Sequence, residues 1–201
     1  MSGETEGWAA VVLAGGTAAR LDGADKAALE HGGRSLLEHA LAAVTGATEV
    51  VVVGEPVPTS RPVTFTRESP AGGGPLAALC AGVDALAGRP RLVVVLAVDM
   101  PHVTSRTVER LLAAVGEAEG AWLVDGTGRR QLAGAVLRGR ILGFAEPQGL
   151  PMRALSASRD ANDVPATGDE ASDVDTWADV ARLRGDTSTG TRTEGLEDPP
   201  G

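Results

Sequence analysis

No tyrosine occurs in this chain of 201 residues, and only three tryptophans and two phenylalanines do. An aromatic-rich core is excluded, and burial must be built from Ala, Val and Leu. The single cysteine, Cys80, rules out an intrachain disulfide framework and fits a reducing compartment. Basic residues are in the minority: 18 Lys and Arg against 27 Asp and Glu leave a formal charge of −9. Nonspecific nucleic-acid binding needs a basic surface that displaces counterions, so no nucleic-acid partner is expected. Long apolar runs are missing too. The opening "MSGETEG" is acidic and the run after it stops at Gly15, which is neither a signal peptide nor a membrane span. A soluble cytoplasmic protein is the expectation. His31, His39 and His102 show no metal spacing, so zinc is not expected.

What is present is an alternation of short β-branched runs with longer amphipathic segments. Strands are expected over 8–14, 49–53, 63–66, 91–97, 121–124 and 132–137. Helices are expected over 35–44, 75–86, 105–115 and 176–183. Ser35 followed by Glu38 predicts a capping box for the first helix. Val-rich strands that read as buried on both faces and alternate with helices predict an α/β fold. This is a Rossmann-like, mostly parallel sheet flanked by helices. One domain is expected over 1–184. The polar tail 185–201, rich in Gly, Pro and Thr, reads as disordered.

In open α/β sheets the ligand crevice lies beyond the carboxyl ends of the strands. After the first strand stands "LAGGTAARLDGADKA", Leu13 to Ala27. Gly15 and Gly16 permit a close backbone approach, and their N–H groups can cradle an anion. Arg20 and Lys26 can add charge, Arg as a fork and Lys as a point charge. A plain turn with solvated cations reads equally well. Asp99 closes the apolar run in "VVVLAVDMP"; it can start a Mg²⁺ site, or cap the turn that Pro101 enforces. In "SDVDTWADVARL", an extended backbone would put Asp173 and Asp175 on one face with Val174 opposite, a pair that suits a cation between them. The same residues also read as a helix entry, with Asp175 or Thr176 as N-cap. Cys80 falls on an apolar helix stripe and reads as core.

The stretch from Leu13 to Lys26 resembles the L-A-G-G-x-x-x-R-[M/L]-x-x-x-D-K signature of the molybdenum cofactor guanylyltransferase family (MobA-like). Further motifs follow in the family's order: "GGGPL", "VDMP" and D-x-D-T. The resemblance implies that backbone at Leu13, Ala14, Gly15 and Gly16 wraps a triphosphate, with Arg20 and Lys26 on its phosphates. It implies Asp99 as a ligand of Mg²⁺, with Asp173 and Asp175 reaching the same site. It places Glu68, where relatives carry Asp, and Gly74 on the nucleotide. Arg129, Arg130 and Arg153 are implied as contacts to the phosphate of an acceptor, molybdopterin. Asp22 stands where Gly is common, and Ala78 replaces a Gly.

The activity so implied is transfer of GMP from GTP to molybdopterin with release of pyrophosphate. Lys26, Arg20 and Asp99 would be the catalytic groups and Mg²⁺ the cofactor. No membrane partner is implied, and contacts with molybdoenzyme maturation proteins would be weak. The D-x-D-T pattern leaves cytosine open as the base, as in the related cytidylyltransferases, and leaves a sugar phosphate or another phospho-acid open as acceptor. A noncatalytic nucleotide-binding module is the reading from another class.

Overall fold

The computed structural model describes residues 5–15 and 26–188. Gly16, Arg20 and Asp22, singled out above, lie outside the described residues, as does the tail from 189 onward. In chain order the elements are β1 (Thr5–Leu13), a 3₁₀ turn (Lys26–Ala28), β2 (Glu30–His31), β3 (Arg34–Ser35), α1 (Leu36–Ala43), β4 (Glu49–Val53), β5 (Thr64–Thr66) and α2 (Pro75–Asp84). Then come β6 (Pro90–Ala97), α3 (Ser105–Val115), β7 (Gly120–Val124), β8 (Arg130–Leu137), α4 (Arg138–Leu142), α5 (Arg153–Ser156), β9 (Ala161–Pro165) and α6 (Trp177–Ser188).

Seven strands form one sheet in the order β5-β4-β1-β6-β8-β7-β9. β1 pairs parallel to both β4 and β6, in register Leu13↔Val53 and Leu13↔Ala97. β8 is antiparallel to both of its neighbours, and β9 returns parallel to β7 at the edge. The sheet is thus mostly parallel, as the Val-rich runs predict, with one reversed strand.

Period-two alternation divides the core between the faces. Ala10, Val12, Val50, Val52, Val94 and Leu96 pack with α1, α3 and α6 on one side. Ala9, Val11, Val51, Val53, Val93 and Val95 pack with α2, α4 and α5 on the other. Every one of these strand residues is buried, which is why the runs are apolar throughout. With so few aromatics, Trp122 is the largest fully buried side chain, and it lies against Gly134 on the neighbouring β8 at a distance that leaves no room for a Cβ.

Ends of helices follow local chemistry. α3 carries a reciprocal capping box between Thr104 and Thr107. At α1 only half of the predicted box forms. The Ser35 hydroxyl accepts from the Glu38 amide, but the Glu38 carboxylate accepts instead from the amide and hydroxyl of Ser60, tying the helix to the loop before β5. α6 runs to Ser188, five residues beyond the predicted end. Among the described residues, no helix is long and apolar enough to cross a membrane.

Candidate active site

The strand order changes direction at β1. The chain leaves β1 for β4 and β5 on one side, then crosses back to β6 on the other, so the carboxyl ends of β1 and β6 border the switch point. Leu13, Ala14 and Gly15 end one strand; Ala97, Val98 and Asp99 end the other. Val98 donates to Leu13 O at 3.0 Å and Ala14 to Val53 O at 2.9 Å, which keeps the three strand ends together past the ladder.

Lys26, at the start of the 3₁₀ turn, reaches this edge. Its Nζ donates to Asp99 Oδ2 at 2.9 Å and to Asp175 Oδ1 at 2.6 Å. Lys26 and Asp99 are mostly buried, and Asp175 is more open. Burial alone would lower the lysine's pKa, but the hydrogen bonds to Asp175 and then Asp99, with their charges, outweigh it and hold the ammonium above its usual value. Lys26 is charged at neutral pH.

The D-x-D-T stretch arrives here by a backbone link: the Val174 amide donates to Asp99 O at 2.9 Å. Val174 is buried, Asp173 is exposed and Asp175 lies between. The helix-entry reading of this stretch holds. Thr176 caps α6, its hydroxyl accepting from the Asp179 amide, while Asp179 Oδ2 accepts from the amides of Asp175 and Thr176. That leaves the Asp175 carboxylate free to meet Lys26. Asp173 opens toward a second hollow shared with His102, Asp169 and Ser172. Burial first, then the charges of Asp175 and Asp99, push its carboxyl above the ordinary value.

Beside these groups lies a cleft of about 380 Å³ whose lining includes Leu13, Ala14, Gly15, Lys26, Glu68, Gly72, Gly74, Pro75, Asp99 and Leu132. Five of the residues expected on the nucleotide therefore share one concavity with Lys26 and Asp99. Gly74 ends its loop at φ +89°, a conformation that favours glycine, and Pro75 follows at the first turn of α2. Glu68 holds this loop from within, accepting from the Gly72 amide at 3.1 Å.

A second cleft, of about 590 Å³, is lined by Arg129, Gln131, Leu132, Met152, Arg153 and neighbours. Leu132 is common to both, so the two clefts abut. Arg130 also borders the second cleft, but its guanidinium is committed elsewhere. It pairs with Asp163 at 2.6 Å and donates to the carbonyls of Ser156, Ser158 and Ala161. Through those donors Arg130 staples β8 to β9 and α5 while it borders the cleft. Sequence reasoning did not single out Leu132, and a lone Leu in a strand carries no signal for it.

The three histidines come together unannounced by their spacing, with ring centroids of His31 and His39 5.3 Å apart and of His31 and His102 5.8 Å apart. His39 is tied inward rather than standing free, its Nε2 within 2.9 Å of His31 O. Among the described residues, no set of three or more His, Cys, Asp or Glu side chains is arranged to hold a metal by itself. Asp99 and Asp175 on one shared cation are nonetheless a donor set that suits Mg²⁺. That ion is commonly held by one or two carboxylates, with phosphate oxygens and waters completing the shell.

Comparison with known proteins bears on the family and the fold. A "probable molybdenum cofactor guanylyltransferase" of Mycobacterium tuberculosis (strain H37Rv) is 35% identical over 163 residues, covering 77% of this chain and 80% of that one. A molybdenum cofactor guanylyltransferase of Acidiphilium cryptum is 39% identical over 112 residues, 52% of this chain and 57% of its own. Among solved structures, the homolog of M. tuberculosis rv0371c from a mycobacterium, strain JC1, superposes with a TM-score of 0.74 at 24% identity, covering 90% of this chain and 97% of that one. The Archaeoglobus fulgidus molybdopterin-guanine dinucleotide biosynthesis protein A gives 0.68 at 18%, covering 90% and 98%. At such identities these two show the shared fold. The family model described as MobA-like NTP transferase domain matches residues 10–165, from within β1 to the last residue of β9. Since that span holds the sheet from the middle of β1 onward and both strand ends that border the cleft, the chain belongs to the MobA-like NTP transferase family.

Proposed function

We propose that the chain transfers GMP from GTP to molybdopterin and releases pyrophosphate. The observation that carries this reading is the placement of Lys26 on Asp99 and Asp175. Lys26 and Asp99 line a glycine-bearing cleft that shares Leu132 with a second cleft bearing Arg129 and Arg153. The relatives whose sequences match most of this chain carry the guanylyltransferase name.

An oxygen of the acceptor's terminal phosphate attacks the α-phosphorus of GTP. A new P–O–P bond forms, the α–β bridging bond breaks, and its electron pair leaves with pyrophosphate. The nucleophile is already anionic, so the site needs no general base; alignment and charge neutralisation are what it has to supply. Backbone at Leu13, Ala14 and Gly15, with Gly16 and Arg20, holds the triphosphate. Lys26 offsets charge at the α-phosphorus and on the departing pyrophosphate. Glu68 and Gly74 shape the nucleotide pocket, and Arg129 and Arg153 receive the acceptor's phosphate. Mg²⁺, held by Asp99 and Asp175 with Asp173 close by, would supply charge stabilisation on the phosphates.

The test is pyrophosphate release by the purified chain with Mg²⁺ and molybdopterin, offering GTP, CTP, ATP and UTP separately. Release with GTP alone is expected. Release with CTP alone would make the chain a cytidylyltransferase, and nucleotide binding with no release would reduce it to a binding module for this acceptor.

A further inference from the structure

Residues 147–153 (P-Q-G-L-P-M-R) cross over the glycine loop on their way from α4 to α5. The Gly149 amide donates to Gly73 O at 2.8 Å, and Gln148 Nε2 donates to Ser69 O at 3.4 Å. Two consecutive residues of one strap thus hold both ends of the 69–73 turn. The contact is close: a Cβ on Gly73 would overlap Gln148 Oε1, and one on Gly74 would sit 3.6 Å from Leu150 O. A side chain at position 73 would therefore have to displace Gln148 and crowd Ala77.

The inner side of the same loop is the wall of the nucleotide cleft, through Glu68, Gly72, Gly74 and Pro75. The strap continues directly into the second cleft, which Pro151, Met152 and Arg153 line. A run of three glycines has a wide choice of backbone states, and ordering each residue costs roughly 1–2 kcal/mol. A loop already held in its binding conformation spares the ligand that cost. Glu68 holds one side through Gly72, and the strap holds the other.

We propose that Gln148 is a positioning residue for nucleotide recognition. With Gly149 it clamps the glycine loop in the shape that receives the nucleotide, and it does so from a strap that also walls the acceptor cleft. This rests on the reading of residues 68–75 as the nucleotide loop. Gln148 acts through Ser69 and Gly73 and touches no reacting atom.

The experiment is calorimetric titration of the full chain with GTP and Mg²⁺, followed by steady-state pyrophosphate release with molybdopterin. Gln148→Ala should raise the Kd and KM for GTP about three- to tenfold, the loss of one neutral hydrogen bond. Its kcat should stay within about twofold, and its Tm unchanged, because the side chain is exposed. Gly73→Ala should push Gln148 off the loop and weaken GTP at least as much. Glu146→Ala, exposed and just outside the strap, should alter nothing.

Wild-type affinity in Gln148→Ala would overturn the clamp, as would a fall in kcat with unchanged Kd. If the wild type bound CTP in place of GTP and Gln148→Ala weakened CTP to the same degree, the clamp would stand and the guanine assignment would fall. A wild type that bound no nucleotide would overturn both.

Discussion

Lys26 is the residue on which the proposed chemistry turns, because one ammonium faces two carboxylates and the cleft at once. Replacing it with Met keeps the length and removes the charge. In the proposed reaction, charge develops on the α-phosphorus and the leaving pyrophosphate, so a fixed cation matters more in the transition state than in the bound substrate. Lys26→Met should lower kcat by about 10²–10³, the usual loss for one stabilising group at a charged transition state, while the Kd for GTP moves far less. Stopped-flow pyrophosphate release beside calorimetric Kd values measures the split, and an unchanged kcat would remove Lys26 from the mechanism. Asp99 was legible in the sequence because it closes an apolar run, and Lys26 because it follows the paired glycines in a recognisable signature; their pairing with each other and with Asp175 was not. Arg129 and Arg130 were not separable there. The two are adjacent and both border the second cleft, and only the fold shows that the Arg130 guanidinium is also engaged by Asp163 and three carbonyls.

The helices and strands that position the site were legible in proportion to how local their signals are. α3 falls on its predicted residues, since Thr104 and Gly116 mark its two ends. β9 was invisible: "ANDVP" is a polar edge strand with three exposed positions, held by pairing with β7 rather than by any apolar pattern of its own. The direction of β8 was equally beyond reach, because an apolar run buried on both faces reads alike in either orientation. The segment after β9 is pinned to α3 by Glu170. Its carboxylate accepts from Thr107 Oγ1 at 2.6 Å, Arg110 Nη1 at 2.8 Å and the Thr167 amide at 2.7 Å. Burial pushes this carboxyl up, but the hydrogen bonds from Thr107 and Arg110, with the Arg110 charge, hold it below its ordinary value. A carboxyl whose folded pKa is depressed contributes stability that is fully present above its unfolded pKa, about 4.3, and lost as pH falls through the folded value. Glu170→Gln should therefore cost about 1.5–3 kcal/mol at pH 7, and the gap to wild type should narrow as the pH drops below about 4. Urea unfolding at a series of pH values reads this directly; equal stability at pH 7 would show that the link between α3 and the chain after β9 carries nothing.

The molecule as a whole sets a problem that no single residue does. It carries a formal charge of −9, yet the proposed substrates are polyanions. The fold answers locally. It brings Lys26 to the switch point of the sheet, among Asp99, Asp175 and Glu68, and Arg129 and Arg153 to the adjoining cleft. The two influences differ in range. At about 10 mM salt the screening length is roughly 30 Å, comparable to the domain, so an approaching nucleotide feels the whole negative surface. At about 150 mM it is roughly 8 Å, and only the charges lining the cleft still act on the ligand. Raising salt across that interval should therefore speed nucleotide capture, lifting kcat/KM for GTP about two- to threefold at fixed free Mg²⁺ and acceptor. A protein whose binding face dominated its field would behave in the opposite way and lose affinity over the same range. A fall in kcat/KM with salt would thus mean that the cleft cations project beyond the acidic surface and steer the substrate themselves. A rise would mean that the site works at contact distance, against the field of the molecule that carries it.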